Sequence, residues 1–146
     1  TAAVGLPSLG LAAASELGVV LERLVLVPDV APGQWASVVA ALVGSVDCLI
    51  VAPPTRLNPT AARRLAARLR ERGSVVVVVG HVPDSTALGP AAQGLSADVV
   101  LTSRTHRWEG LGQGHGHLRG RQITVEVEGR RAAARRRRDT FWLGAP

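Results

Sequence analysis

The sequence predicts an α/β domain with a RecA-like, mainly parallel sheet flanked by helices, followed by an antiparallel β-hairpin extension. Over residues 1–103, short runs of Val, Leu and Ile alternate with helix-like stretches, which is typical of βαβ units. Those runs are apolar throughout, as expected for strands buried on both faces. After residue 103 the helix-like stretches cease, and strict alternation of polar and apolar residues favours hairpin strands with one solvated face.

The first part contains five expected strands and three expected helices. The strand runs cover residues 1–4, 23–27, 47–51, 74–79 and 97–102. The stretch "SLGLAAASELG", with Ser8 as N-cap, and the stretch "APGQWASVVAALVG" predict the first two helices, and each ends at a glycine. The third helix begins with Asn58 as N-cap and Pro59 in its first turn, and it ends at Gly73. Residues 83–96 are rich in Gly, Pro and Ala and predict a loop.

The last part predicts two paired strands with opposite faces. In "RQITVEVEG", one face takes Ile123, Val125 and Val127 and the other takes Thr124, Glu126 and Glu128. The stretch "RRRRDTFWLG" is expected to return as the next strand. Arg135 and Arg137 then point away from Arg136 and Arg138, so about half of these arginines can meet any one partner.

Length and composition predict a single domain over residues 1–146, divided into an α/β core at 1–103 and a basic hairpin region at 104–146. The chain starts with Thr1 and has no Met, so we expect a fragment that lacks its N-terminus. No run is long enough to span a membrane. Cys48 is the single cysteine and lies in an apolar run, which favours an inert thiol and a cytoplasmic location.

The positive charge is confined to the last third of the chain. All 17 basic residues are arginine; residues 1–103 hold seven of them with seven acids, whereas residues 104–146 hold ten with four acids. This asymmetry predicts an acidic partner for the last third. The candidate contacts are Arg104, Arg107, Trp108, Arg119, Arg121, Arg130, Arg131, Arg135, Arg136, Arg137 and Arg138. The alternative is a solvated strand face, with Phe141 or Trp142 in the core and Trp108 exposed.

Residues suited to catalysis are few at the expected strand ends. The turn "VGLPSLG" has no Lys-Ser/Thr pair and is no P-loop. His81 and Asp84 form either an acid–base pair or an ordinary turn, and "GHGH" with His115 and His117 is either a weak metal motif or a polar turn. We therefore predict no catalytic, nucleotide-binding or metal-binding residues and no cofactor.

Several stretches resemble a known family. "ASELGVVLERLVLVPD", "VDCLIVAPP" and "VVVVVGH" are similar to successive parts of the carboxyl-terminal half of the RecA ATPase core. "THRWEGLGQGHGHLRGRQITVEVEGRRAAARRRRDTFWL" is closer still to the ImuA-type proteins, RecA-like accessory factors of DNA-damage-induced mutagenesis. The likeness covers nearly the whole chain, and residues 106–143 are its most specific part.

The resemblance implies a RecA-like fold that has lost ATP chemistry. The acid that would hold Mg²⁺ falls at Ala52, the γ-phosphate sensor falls at His81, and no acid occurs near Leu6 where a water-activating glutamate is expected. The two basic residues that RecA sends into a neighbour's ATP site fall at Glu128 and Arg130, so one of them has reversed charge.

From the resemblance we expect a non-enzymatic scaffold of SOS-induced, error-prone translesion DNA synthesis, located at the nucleoid. Its implied partner is ImuB, an inactive Y-family polymerase homologue, and DNA is a further expected partner. We also expect that the chain could form a homo-oligomer through an exposed sheet edge. The alternative function is a single-stranded nucleic-acid binding module that acts directly through the arginine-rich hairpin.

Overall fold

The computed structural model of the chain describes residues 1–54, 57–80, 95, 97–130 and 134–144. It has a mixed α/β fold with a parallel four-stranded sheet and a separate antiparallel three-stranded sheet, which confirms the predicted fold class. The chain divides into two compact units, Thr1–Ser96 and Ala97–Pro146. Among the described residues, no helix has the length and apolar character that crossing a bilayer would require.

The first unit contains the parallel sheet, with strand order β2-β1-β3-β4. The strands are β1 (Ala2–Val4), β2 (Val25–Val27), β3 (Cys48–Val51) and β4 (Val75–Val78). They fall within the first four predicted strand runs, and every neighbouring pair is parallel. The apolar, β-branched composition of these runs explains both their extended conformation and their central position.

One face of this sheet carries the core of the first unit. Helices α2 (Trp35–Leu42) and α3 (Pro59–Arg72) pack on it. Val4 and Leu49 of the two central strands are fully buried against Trp35 and Val39 of α2. Complete burial of an aliphatic side chain of this size contributes about 1.5–3 kcal/mol, so these contacts dominate the stability of the unit.

On the opposite face of the parallel sheet, the edge strands differ from the prediction that both faces are buried. Leu26 of β2 and Val75 and Val77 of β4 are 41%, 59% and 43% exposed, whereas Ala3 of the central strand β1 is 2% exposed. The residues that α2 and α3 contribute to the core cluster pack on the other face, and α1 (Leu11–Glu16) has no buried residue. An apolar run therefore marks these strands correctly but does not reveal which of them are left exposed at the edges of the sheet.

The ends of helix α3 follow the sequence signals. The side-chain oxygen of Asn58 accepts hydrogen bonds from the backbone N–H groups of Thr60, at 2.8 Å, and Ala61, at 3.4 Å. Gly73 ends the helix with φ +64°, a left-handed conformation that glycine adopts without strain. Helix α1 begins after Gly10 rather than at the predicted Ser8, and its N-cap makes no side-chain hydrogen bond.

The second unit is a three-stranded antiparallel sheet in the order β5-β6-β7. Its strands are β5 (Val99–Leu111), β6 (Gly116–Gly129) and β7 (Arg137–Gly144). The prediction that residues 97–102 form a fifth parallel strand is wrong, because Val99 begins β5 and pairs with Gly129. The apolar run continues without a break into the polar sequence that follows it, and Val99–Leu111 form one long hairpin strand.

Candidate functional site

The register of the three-stranded sheet decides which side chains share a face. β6 is the central strand, and residues directly opposite each other on antiparallel neighbours lie on the same face. Val127 lies opposite Leu101 and Arg137, whereas the preceding residue Glu126 lies opposite Arg138. The two faces of the sheet therefore differ in chemistry.

We call these the apolar face and the polar face. The apolar face consists of Val99, Leu101, Ser103, Thr105, Trp108, Arg121, Ile123, Val125, Val127, Arg137, Asp139, Phe141 and Leu143. The polar face consists of Val100, Thr102, Arg104, Arg107, Glu109, Gln122, Thr124, Glu126, Glu128, Arg138, Thr140 and Trp142. The predicted separation of the Ile and Val side chains from the Thr and Glu side chains of β6 is confirmed.

A β-bulge in β5 determines where two of the predicted contact residues point. The pairing with β6 skips His106 between Thr105 and Arg107. Strict alternation would place Trp108 on the same face as Arg104 and would place Arg107 on the other face. The extra residue instead brings Arg107 beside Arg104 on the polar face and moves Trp108 to the apolar face.

The predicted arginines are exposed but do not form one cluster. Those that the structure describes, all exposed, are Arg104, Arg107, Arg119, Arg121, Arg130, Arg135, Arg136, Arg137 and Arg138. The register places Arg104, Arg107 and Arg138 on the polar face, and Arg136 joins them through its contact with Glu126. Arg121 and Arg137 lie on the apolar face. Arg131 lies outside the described residues. The sheet thus divides its positive charge between two surfaces.

Glu126 is the acidic centre of the polar face. Its carboxylate accepts a hydrogen bond from the guanidinium of Arg136 and lies 3.8 Å from that of Arg138. The hydrogen bond from Arg136 is the main cause that lowers the pKa of Glu126. Desolvation opposes this change, whereas the nearby positive charges of Arg136, Arg138 and Arg104 lower the pKa further. The Arg136 side chain is 63% exposed, so solvent screening limits the contribution of this pair to stability.

A pair of threonine hydroxyls links β6 to β7 on the polar face. The side-chain oxygens of Thr124 and Thr140 lie 2.7 Å apart, and Thr124 is only 4% exposed. Trp142, two residues further along β7, lies opposite Gln122. Uncharged hydrogen-bonding groups and an indole ring therefore stand among the arginines of this face.

The apolar face is largely open to solvent. Leu101, Trp108 and Phe141 are 66%, 48% and 42% exposed, whereas Ile123 in the central strand is 7% exposed. The guanidinium of Arg121 lies 5.5 Å from the centroid of the Trp108 ring, a cation–π distance. The exposure of Trp108 confirms the prediction made for it.

The expectation that Phe141 or Trp142 belongs to a core is wrong. Phe141 is 42% exposed on the apolar face, and Trp142 is 36% exposed on the polar face. In a three-stranded sheet, only the central strand has neighbours on both sides, so side chains of the outer strand β7 are less covered. Leu101 and Phe141 were not among the predicted contact residues, although the alternation of apolar residues along each strand was the signal that could have identified them.

The carboxyl edge of the parallel sheet holds Leu6 and Ala52, the positions at which the resemblance to RecA would place acids. Gly5 and Leu6 directly follow β1, and Ala52 follows β3. The Ala52 N–H donates to the carbonyl oxygen of Val4 at 2.9 Å, so the ends of these two strands lie side by side. The acid nearest to a described strand end is Asp29, which is exposed after β2. His81 and Asp84, the candidate acid–base pair, lie outside the described residues.

The remaining histidines lie on the second unit and are exposed. His115, in the turn between β5 and β6, has its Nδ1 atom 3.0 Å from the backbone oxygen of Gln113. His117 is an exposed residue of β6, and His106 is the bulge residue of β5. Within the described ranges, no group of three or more His, Cys, Asp or Glu side chains is arranged to hold a metal ion.

Two comparisons place the chain among known proteins. Residues 1–84 match the family model described as the MT3502 N-terminal domain. The chain is also similar to "Uncharacterized protein Rv3395c" of Mycobacterium tuberculosis (strain ATCC 25618 / H37Rv), with 29% identity over 131 residues. That match covers 88% of this chain and 60% of the relative, so the chain spans less than two thirds of that protein's length.

Proposed function

The chain belongs to the MT3502 N-terminal domain family, and we propose that it is a non-catalytic, RecA-like accessory factor of SOS-induced translesion DNA synthesis. In this role it binds an ImuB-type protein, an inactive homologue of Y-family polymerases, and acts in the cytoplasm at the nucleoid. The resemblance to ImuA-type proteins over residues 106–143 supports the role, because this region includes all of β6, nearly all of β7 and about half of β5.

The observation that carries the proposal is the exposed apolar face. It combines aliphatic side chains such as Leu101 with the aromatic rings of Trp108 and Phe141, and Arg121 and Arg137 lie among them. Aromatic residues and arginine are enriched in the cores of protein–protein interfaces, whereas an apolar surface of this kind is unfavourable in water. The composition therefore suits a protein partner that supplies apolar residues and acids.

The residues at the carboxyl edge of the parallel sheet support the non-catalytic part of the proposal. Phosphoryl transfer from ATP needs a carboxylate to hold Mg²⁺ and a group that positions the attacking water. The corresponding positions carry Ala52 and Leu6, whose side chains can neither bind a cation nor accept a proton. Removal of a single oxyanion-hole donor costs about 2.7–4 kcal/mol of transition-state stabilisation, and a bound metal ion contributes a similar amount, so the lack of both groups argues against turnover.

Partner binding is tested by co-purification of this chain with the ImuB-type protein encoded by the same genome, after nuclease treatment. Leu101→Asp places a charge on the apolar face, and the matched control Thr102→Asp places the same charge on the polar face. We expect Leu101→Asp to weaken binding by at least about 10-fold, because an interface leucine contributes about 1.5–3 kcal/mol, and Thr102→Asp to leave it unchanged. Equal binding by both variants would remove the apolar face from the proposal.

The absence of ATP turnover is tested separately by calorimetry and phosphate release with MgATP. We expect no phosphate release above background. Turnover that disappears in a variant of the first unit would contradict the non-catalytic role, whatever the outcome of the partner experiment.

A further inference from the structure

The polar face of the second unit is a surface distinct from the proposed partner contact. Arg104 and Arg107 lie on the edge strand β5, and no ion pair involves either of them within the part of the chain that the structure describes. Their guanidinium groups are therefore available to a ligand. Guanidinium is planar and offers paired N–H donors that match the oxygens of a phosphate.

An aromatic ring stands on the other edge strand of the same face. Trp142 of β7 is 36% exposed and lies opposite Gln122, which in turn lies opposite Arg107. Neighbouring strands are about 4.8 Å apart, so the backbones of Trp142 and Arg107 are separated by about 10 Å. One nucleotide covers such a distance from its phosphate to the far side of its base.

The groups between the arginines and the ring suit nucleobases better than an acidic peptide. Gln122 carries both a donor and an acceptor, and the exposed Thr140 carries a hydroxyl. Such groups, together with an aromatic ring, hydrogen-bond and stack on unpaired bases, whereas an acidic peptide needs only the positive charges. A duplex is disfavoured because its bases are already paired and stacked on each other, so they cannot stack on a side chain.

Glu126 limits the strength of this surface. Its carboxylate accepts a hydrogen bond from the guanidinium of Arg136 and lies 3.8 Å from the guanidinium of Arg138. A phosphate that binds these arginines must therefore compete with an anion that is already in place. Arg107, and Arg104, whose charge acts on Glu126 without forming an ion pair with it, provide the first phosphate contacts.

We propose that the polar face binds single-stranded nucleic acid, with Arg104, Arg107 and Arg138 at the phosphates and Trp142 stacked on a base. The site does not depend on the proposed partner, because the apolar face lies on the other side of the same sheet.

The experiment measures fluorescence anisotropy of a labelled oligo(dT) of about 15 nucleotides, near the upper limit for one single-strand-binding fold, with the full chain. The salt dependence is measured between about 50 and about 200 mM. The double variant Arg104→Ser/Arg107→Ser is compared with Arg121→Ser/Arg137→Ser, which removes the same charge from the apolar face.

We expect the polar-face double variant to reduce the salt slope by about 1.4, because each phosphate contact to a single strand contributes about 0.7. The apolar-face double variant should change the slope by less than half of that. Trp142→Ala should weaken binding by about 5-fold or more, as expected for a lost stacking platform. Glu126→Gln should strengthen binding, because it removes the competing carboxylate and releases Arg136.

Three results would overturn the proposal. The first is an equal loss of affinity in both double variants, which indicates attraction by net charge alone. The second is displacement of oligo(dT) by polyglutamate at equal charge concentration, which indicates an acidic-peptide site. The third is unchanged binding by both the polar-face double variant and Trp142→Ala. Exposed arginines tolerate replacement by serine, and circular dichroism verifies the fold of each variant.

Discussion

The hydroxyl pair between Thr124 and Thr140 allows a direct test of the register that defines the two faces. Thr124 is 4% exposed, and its side-chain oxygen lies 2.7 Å from that of Thr140, an exposed residue. Thr140→Val retains the shape of the side chain but leaves the buried Thr124 hydroxyl without this partner. An unsatisfied buried hydroxyl costs about 1–3 kcal/mol, so we expect Thr140→Val to lower the free energy of unfolding by that amount.

The reverse substitution should be less harmful. In Thr124→Val the remaining hydroxyl belongs to the exposed Thr140, which can turn to water, so the loss is limited to about 0.5–1.5 kcal/mol. The double variant should be close to the wild type, since two apolar groups of the same shape replace both partners. The double-mutant cycle then gives a coupling energy of about 1.5–4.5 kcal/mol, the sum of the two single losses.

The assay is urea denaturation followed by tryptophan fluorescence in a Trp35→Phe background. Trp35 lies in the first unit, so the remaining Trp108 and Trp142 report on the second unit alone. A slip of one residue between β6 and β7 would move Thr140 to the other face. Additive effects, with Thr140→Val close to neutral, would refute the register and with it the assignment of the arginines to their faces.

Three further predictions concern single positions. Gly5→Ala should destabilise the first unit by more than about 2 kcal/mol, measured by urea denaturation in a Trp108→Phe/Trp142→Phe background in which Trp35 reports on that unit, because Gly5 has φ +73° and a Cβ atom would lie 2.7 Å from the Ala52 oxygen. Asn58→Ala should cost about 1 kcal/mol by loss of the α3 N-cap, whereas Asn58→Asp should cost less. Because the pKa of Glu126 is lowered, its ion pair with Arg136 should be intact at neutral pH and should be lost only as the pH falls through that lowered value. In the Arg136→Ser variant, NMR titration should show the pKa of Glu126 returning towards its ordinary range.

The elements that the sequence predicts well are those fixed by local chemistry. The Asn58 cap and the left-handed Gly73 bound α3 because the capping hydrogen bonds and the backbone conformation depend on those residues themselves. The alternation in β6 is confirmed for the same reason, since side-chain direction in a strand follows from the backbone. The chemistry of each face therefore follows directly from the residues printed along one strand.

The sequence does not predict the features that depend on pairing with a second strand or on the elements that pack over a sheet. The bulge at His106 arises from the pairing of β5 with β6, and no residue type in "SRTHRW" marks it. It reverses the faces expected for Arg107 and Trp108 relative to a regular strand. The exposure of β2 and β4 in the parallel sheet is a similar case, because a buried central strand and an exposed edge strand can show the same apolar run.

The division of the arginines between two faces also limits what the basic composition of the last third can predict about its partners. If all of them served one acidic partner, substitutions on either face would weaken the same complex by comparable amounts. The β5–β6–β7 register instead places Arg121 and Arg137 among apolar side chains and Arg104 and Arg107 among polar ones. Charges on opposite faces of a sheet cannot both lie in one flat interface. Face-specific loss of two different complexes is therefore the outcome that the two proposals predict, and a chain able to hold a protein on one face and a single strand on the other would bring the two together.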